Sequence, residues 1–596
     1  MKKGNLRQWI NLDGCKNLLF FSQLVNELLF DYSIPSNRIS TLNSHFLCKD
    51  ALNAIDCIDH KGVPEGTLKP IMEELYETIK KDPIFDNEDN PLKYFVKYQR
   101  NKYRYSNNVS EHSYEELRKI ALAIDKKYFS DDSYYALLKD RIIELIVLNR
   151  EIDQPILFRL VKSLLTELVN LGYSTRFICR TMDELFWNTR RKIESSSIIT
   201  EFFERFNFKK KEYDVVFVVD KRKMQRFISY VDNLSLVDNL QQKTNEHREK
   251  NFLNRKNNYA FLVIKRDAYD LYGAVESAKS LLDINISFFR LCDHNFKYNL
   301  NSAKCGVYEG NDFYIVESEI SGVSHTKTPS SKQILESTAT AEKALDSVAN
   351  HRSIDDYLAL INATLFHAQS LDATSSQNQL LDLWAIFESV LDISNKHTSD
   401  RINQVCMYLI PILKKRYIYS LFLQLSNDMK NYSEETYLKI VADTKEEKDV
   451  VRKICEFVLL EENREQRDGY LKACEDFPLL RERIEYYQQV MKTPKHVYQF
   501  VEKHAERVKW QIMRIYRNRN LIIHNGDSMP YLDLLIENLH SYVDDFLSYV
   551  IHSLSKGHNI SSMCQMLFSK ECDWFADFND KKALMNSEMV DKMILM

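Results

Sequence analysis

Only 12 of the 596 residues are glycine and 11 are proline, about 2% of each where about 7% and 5% are usual. Glycine supplies the left-handed backbone of tight turns and the close approaches of phosphate-cradling loops, and proline marks turns and breaks. A chain this poor in both reads as predominantly α. It contains no Gly-Lys-Ser/Thr, no Gly-x-Gly-x-x-Gly and no Gly-x-Ser-x-Gly. That pattern argues against a P-loop ATPase, a Rossmann dehydrogenase, a glycine-rich-loop kinase and a nucleophile-elbow hydrolase.

With 44% hydrophobic residues and 12% aromatics there is ample material for packed cores, and the length suits several domains. Lys+Arg total 81 and Asp+Glu 85, a net charge of −4, which argues against a protein coated in nucleic acid but leaves room for a local basic patch. No stretch approaches the roughly 20 apolar residues of a membrane span. After Met1-Lys2-Lys3 the chain meets Gln8, Asn11 and Asp13 rather than an apolar run, so neither export nor an anchor is expected. The 11 cysteines never form Cys-x-x-Cys and read as reduced thiols of a cytoplasmic chain.

Along the chain, residues 1–210 read as a helical domain, with apolar residues recurring at three and four over Ser113 to Asp125, Tyr134 to Asn149 and Gln154 to Leu171. Gly172 is a natural C-cap, and the Asp- and Asn-rich loop from Asp82 to Pro91 interrupts the domain without dividing it. Residues 211–320 read as a small α/β unit. Its expected parts are strands at Tyr213 to Val219 and Tyr259 to Ile264, a helix from Ala268 to Leu282 and a third strand from Ile284 to Leu291. Gly310-Asn311 then makes a two-residue hairpin turn. The Ser- and Thr-rich stretch Ser318 to Ser331 has linker composition. A linker and lead-in helix (321–370) precede a helical domain at 371–596, in which Gln377 to Ile393, Ser399 to Lys415, Pro494 to Ile523 and Met529 to Leu554 are the clearest helices.

The most informative stretch is Arg507 to Gly526, RVKWQIMRIYRNRNLIIHNG. It carries Arg507, Lys509, Arg514, Arg517 and Arg519 and no acid. Acids occur 85 times in 596, about one in seven, so about three belong in twenty residues. Such a field suits phosphate binding, as it suits a solvated basic helix face. Within it stands Arg519-Asn520-Leu521-Ile522-Ile523-His524. With 15 histidines in the chain, strict Arg-Asn-x-x-x-His arises by chance roughly 0.04 times if Arg and Asn are each near one in twenty. An imidazole can exchange a proton with a ribose 2′-hydroxyl or a leaving 5′-oxygen, while an arginine stabilises charge on the phosphorus.

Arg519-Asn520-x-x-x-His524, preceded by Ile515-Tyr516-Arg517 and followed by Asn525-Gly526, resembles the signature of HEPN ribonucleases, in particular the ApeA-like group of bacterial antiviral proteins. Leu380 to Leu391, with its Trp384 and Glu388, is similar to that group's first helix. The likeness covers residues 375–555. Leu171-Gly172-Tyr173-Ser174, with the strand near Val215, is loosely similar to sensor-like regions of large proteins of the group. The resemblance implies a HEPN-type helical bundle that pairs two units into one composite, metal-independent endoribonuclease site. His524 is then the catalytic acid or base, Arg519 the phosphate-stabilising residue, Asn520 its polar companion and Glu388 a supporting residue. The implied partners are an RNA substrate, a second copy through the HEPN domain and a phage-derived trigger, with no cofactor. The implied role is antiphage defence by abortive infection.

Helix geometry leaves the arginine open. Residues five apart point about 140° apart, so Arg519 and His524 do not share a face, whereas Arg517 and Asn520 lie on the face of His524. Either the helix distorts, or dimer pairing assembles the site, or Arg517 takes part, with Arg514 a further RNA-binding candidate. Two other readings stand beside catalysis. One is a HEPN module that binds RNA or a nucleotide without cutting. The other is a HEPN toxin regulated by a partner nucleotidyltransferase, disfavoured because such proteins place a Tyr two residues after the His, where Gly526 stands here.

His45-x-x-Cys48 and Cys57-x-x-His60 make a candidate zinc set, which would be structural because four protein ligands leave no open position. The basic clusters Trp187 to Lys192 and Lys221-Arg222-Lys223 suit RNA, a protein trigger or a solvated surface. Asp267, Asp270 and Asp283 read as caps and surface.

Overall fold

In this computed structural model the described residues are 4, 6–29, 40–61, 68–86, 111–128, 133–188, 190–228, 234–240, 252, 258–296, 304–317, 331–350, 354–373, 375–391, 398–442, 444, 446–526, 531–579 and 583–595. The expected linker at 318–330 and residues 87–91 of the loop at 82–91 lie outside them. Helices dominate, with one small antiparallel sheet. In chain order the elements are α1 (Lys16–Leu29), α2 (Ser44–Lys61), α3 (Leu68–Lys81), α4 (Glu111–Tyr128), α5 (Ser133–Leu148), α6 (Gln154–Asn170), α7 (Thr175–Met182), α8 (Ile198–Glu204), β1 (Lys211–Asp220), α9 (Lys221–Ile228), β2 (Ser235–Val237), β3 (Tyr259–Ala268), α10 (Leu271–Cys292), β4 (Lys304–Glu309) and β5 (Asp312–Glu317). There follow α11 (Ser331–Asn350), α12 (Ile354–Asp372), α13 (Ser376–Val390), α14 (Thr398–Tyr432), α15 (Glu434–Val441), α16 (Glu447–Leu459), α17 (Arg464–Ala473), α18 (Pro478–Val490), α19 (Pro494–Asn525), α20 (Leu532–Ser555), α21 (Ile560–Phe578) and α22 (Ser587–Leu595). Among the described residues no helix is long and apolar enough to cross a membrane.

Two compact units emerge in place of a chain-ordered series. One takes residues 1–167, 186–199 and 325–596, the other 168–185 and 200–324. The N-terminal helices expected to stand alone over 1–210 thus share a unit with the helices of 371–596. The cause is visible in α1. Its Leu18, Leu19, Phe20, Phe21, Leu24, Val25 and Leu28 are buried, and so are Asn17, Ser22, Gln23 and Glu27. A helix closed to solvent on nearly every side must be covered on every side. On one side Asn17 Nδ2 donates to the carbonyls of Leu145 and Arg150, both at 3.0 Å. On the other, Gln23 accepts from the Leu479 amide at 3.4 Å, and Glu27 accepts from Gln424 at 3.0 Å and faces Arg483 at 3.6 Å. In the same unit the stretch expected as linker and lead-in helix forms α11 and α12, of which α11 packs on α20 and α12 on α13.

In the second unit the sheet runs β2-β3-β1-β4-β5, each neighbour antiparallel. Central β1 is buried on both faces, as its unbroken apolar run requires. Tyr213, Val215, Phe217 and Val219 pack with Leu262, Ile264 and the Leu271, Ala274, Ala278 and Leu282 face of α10. Val216 and Val218 pack with Phe252, Phe261 and Phe313 on the opposite face. The β4–β5 hairpin turns through Gly310 at φ 59°, as expected.

The strand expected at Ile284 to Leu291 is instead the second half of α10. Asp270, buried, accepts the amides of Tyr272 and Gly273 at 2.9 Å and so caps a helix that propagates cheaply once begun. Ile284, Phe288 and Leu291 stand exposed while Ile286 packs inward, so the apparent alternation is one exposed helix face at i, i+4 and i+7 over about two turns. Asp270 also accepts from the Ser174 amide and hydroxyl, each at 2.8 Å, and Tyr173 stacks on Tyr269. These bonds join 168–185 to the unit of the sheet.

Candidate functional site

The helix α19 carries the basic stretch. Thr493 caps its start, accepting from the His496 amide at 3.3 Å, and Pro494 fills its first turn. It runs unbroken to Asn525, where Gly526 at φ 65° ends it with its amide on the Ile522 carbonyl. The proposed distortion of the helix between Arg519 and His524 is absent. Those two side chains therefore project about 140° apart and about 7.5 Å apart along the axis.

Each arginine of this helix has a different fate. Arg517 and Arg514 face inward and are 7% and 2% exposed. Arg517 donates to Asp50 Oδ2 of α2 at 2.7 Å, Arg514 lies 3.7 Å from the same oxygen, and Arg514 also pairs with Glu74 of α3. Tyr531 Oη donates to the other oxygen of Asp50 at 2.6 Å. Burial pushes the Glu74 carboxyl above its ordinary range, against the pull of Arg514. Burial also raises the Tyr531 phenol, with the charge of Asp50 adding to it. These two arginines, expected as the alternative catalytic residue and an RNA contact, tie the motif helix to α2 and α3 and offer no face to a substrate. The inward-facing arginines of the acid-free run are neutralised by acids from elsewhere in the chain, and of its arginines and lysine only Arg507 and Lys509 stand exposed.

Arg519 turns the other way. Its Nη2 lies 3.2 and 3.3 Å from the two oxygens of Glu388 on α13, and its Nη1 donates to Asn520 Oδ1 at 3.1 Å. Glu388 is held in turn by Trp384 one turn earlier, whose Nε1 donates to it at 3.0 Å. Trp384 is buried with its ring centroid 5.4 Å from that of Tyr516. Trp384, Glu388, Arg519 and Asn520 thus form one half-exposed polar cluster on a fixed base, with a guanidinium oriented by a carboxylate. His524 is exposed at the helix end and has no hydrogen-bond or ion-pair partner among the described residues. The structure brings Arg519, Asn520 and Glu388 together, sends Arg514 and Arg517 to the interior, and leaves His524 on the surface more than a turn away. Sequence reasoning missed Asp50 and Glu74, which lie in stretches that read as ordinary helix.

The helix end is sensitive to one residue. A Cβ at Gly526 meets nothing within 4 Å, so Gly526→Ala is expected to cost about 1 kcal/mol through its left-handed backbone alone. Gly526→Asn, which tolerates that region better, should cost less. Paired urea unfolding curves of the two variants check the order.

The zinc set of the sequence is not assembled. His45, Cys48, Cys57 and His60 all lie on α2, and His45 and Cys57, twelve residues apart, are separated by about 18 Å along its axis. One ion needs all its ligands at about 2.0–2.3 Å. His45 Nδ1 instead meets Glu167 Oε1 at 2.6 Å, and Cys48 is fully buried, its thiol pushed far up by burial and by the charge of Asp125. Of the basic clusters, Lys221, Arg222 and Lys223 form the first turn of α9, with Lys221 2.7 Å from Asp238.

The chain matches no protein-family model, no curated protein and no solved structure.

Proposed function

We propose that the protein is a metal-independent endoribonuclease of HEPN type that works as a homodimer in antiphage defence. The observation that supports it most is the Arg519–Asn520–Glu388 cluster on a helix whose exposed end carries His524. In this reading His524 takes the proton of a ribose 2′-hydroxyl or gives one to the leaving 5′-oxygen. Arg519 stabilises the charge that develops on phosphate oxygens, with Glu388 and Asn520 fixing its orientation. Because Arg519 and His524 of one chain diverge around the helix, a site holding both at one phosphodiester draws them from two chains. Arg517, locked on Asp50, is not the catalytic arginine.

The test is to express wild type, Arg519→Ala and His524→Ala at equal levels in cells with and without phage, and to incubate the extracts with EDTA before inspecting total RNA. Fragmentation in infected wild-type cells, undiminished by EDTA and lost in both variants, is the expected result. Intact RNA in all wild-type samples, or cutting that EDTA abolishes, contradicts the reading. Cutting that persists in His524→Ala removes the histidine from the mechanism.

A further inference from the structure

A second cluster lies apart from the residues assigned to cleavage. His367 on α12 and His540 and Asp544 on α20 each offer a donor atom, and the three atoms lie within 4.8 Å of one another. His540 and Asp544, four residues apart, share one face of α20, as two metal ligands on a helix commonly do. Asp544 Oδ1 is 3.5 Å from His367 Nε2, and its Oδ2 is 3.3 Å from His540 Nδ1. The two imidazole centroids are 5.3 Å apart.

The distances are long for a hydrogen-bonded clamp and suit an ion site. Charge-assisted N–H···O bonds to a carboxylate run about 2.7–2.9 Å, shorter than either contact. Ligands held tetrahedrally at about 2.0–2.2 Å from one ion are separated by about 3.3–3.6 Å, which matches the two contacts of Asp544 with the histidines. The burial of the imidazoles adds to this. His540 is 7% exposed, and its Nε2 is buried without a hydrogen-bond partner, as is Nε2 of His367. Buried imidazole nitrogens are rarely left so without a reason.

We infer that His367, His540 and Asp544 bind a divalent transition-metal ion of the Zn²⁺ class, fastening α12 to α20. Two imidazoles and one carboxylate suit Zn²⁺ and its neighbours and disfavour Mg²⁺ and Ca²⁺, which take oxygen ligands. Three protein ligands leave one position for water or an incoming donor. None of the three residues belongs to the Arg519 cluster, so the site stands or falls separately from the cleavage reading.

The full-length protein, stripped by dialysis against a chelator, is titrated with Zn²⁺ against a chromophoric competitor and, separately, with Co²⁺. Wild type should take one equivalent of tight Zn²⁺ and show tetrahedral Co²⁺ bands without a thiolate charge-transfer band, which separates this site from the cysteines. His367→Ala, at a half-buried position and so expected to fold, should weaken Zn²⁺ binding at least about 100-fold with unchanged circular dichroism. Asp544→Asn should do the same. Zn²⁺ should raise the melting temperature of wild type and not that of His367→Ala. Absence of tight Zn²⁺ uptake by wild type, or equal uptake and equal melting shift in His367→Ala, overturns the inference.

Discussion

His524→Ala should lower RNA cleavage by about 10²- to 10⁴-fold, the usual worth of a positioned general acid or base, and leave unfolding where it is in wild type. The second half of that expectation follows from the structure. The side chain is exposed and bonds to nothing among the described residues, so its removal opens no cavity and orphans no partner. Arg519→Ala should lose activity on a similar scale, but with a detectable loss of stability, because Glu388 then keeps only Trp384 as a donor. Initial rates on an RNA oligonucleotide, read beside urea unfolding of each variant, separate chemistry from folding. A His524→Ala protein with wild-type rates would remove the histidine from the site.

The opposite pattern is expected at Asp50. This carboxylate is 1% exposed and serves Arg517, Arg514 and Tyr531 at once. Asp50→Ala leaves two buried guanidinium groups with Glu74 as their remaining counter-charge among these contacts, and breaking a buried pair from one side costs about 3–5 kcal/mol. Asp50→Asn retains hydrogen-bonding atoms but not the charge and should cost less. Because Asp50 holds α2 to the motif helix α19, its loss should also expose α19 to hydrogen exchange, most clearly around Arg514 to Asn518. Unchanged unfolding and unchanged exchange in Asp50→Ala would show that the network carries little of the unit's stability.

The contrast between these two residues also measures what the sequence made legible. The helix α19 was expected from Pro494 to Ile523 and runs to Asn525, because its limits are written locally: Thr493 and Pro494 at one end and Gly526 at the other. The β4–β5 hairpin was equally local, set by Gly310-Asn311. Four features escaped. Ile284 to Leu291 alternates like a strand, yet the Asp270 cap upstream starts a helix that runs through it. The edge strand β2 has three residues, too few for a period to show. The fate of the arginines is set by pairing across the chain. Arg517 finds Asp50, 467 positions away, and no local count of acids can register that neutralisation. For the same reason the basic stretch overstated the positive field available to a phosphate, and the Glu388–Arg519 contact, 131 positions apart, could not be read locally either. His367 and His540 carried no motif because their meeting depends on α12 packing into the bundle.

The central claim is that RNA is cut by attack of its own 2′-hydroxyl, assisted by His524 and Arg519. The most direct measurement uses protein purified from cells whose RNA has begun to fragment. It is incubated with an RNA oligonucleotide and with the same oligonucleotide carrying a single 2′-deoxy nucleotide at the mapped cleavage position. Cleavage of the first with 2′,3′-cyclic phosphate and 5′-hydroxyl ends, and none at the deoxy position of the second, is the expected result. Equal cutting of both, or products with 5′-phosphate and 3′-hydroxyl ends, would contradict it, because neither outcome can arise from a 2′-hydroxyl nucleophile.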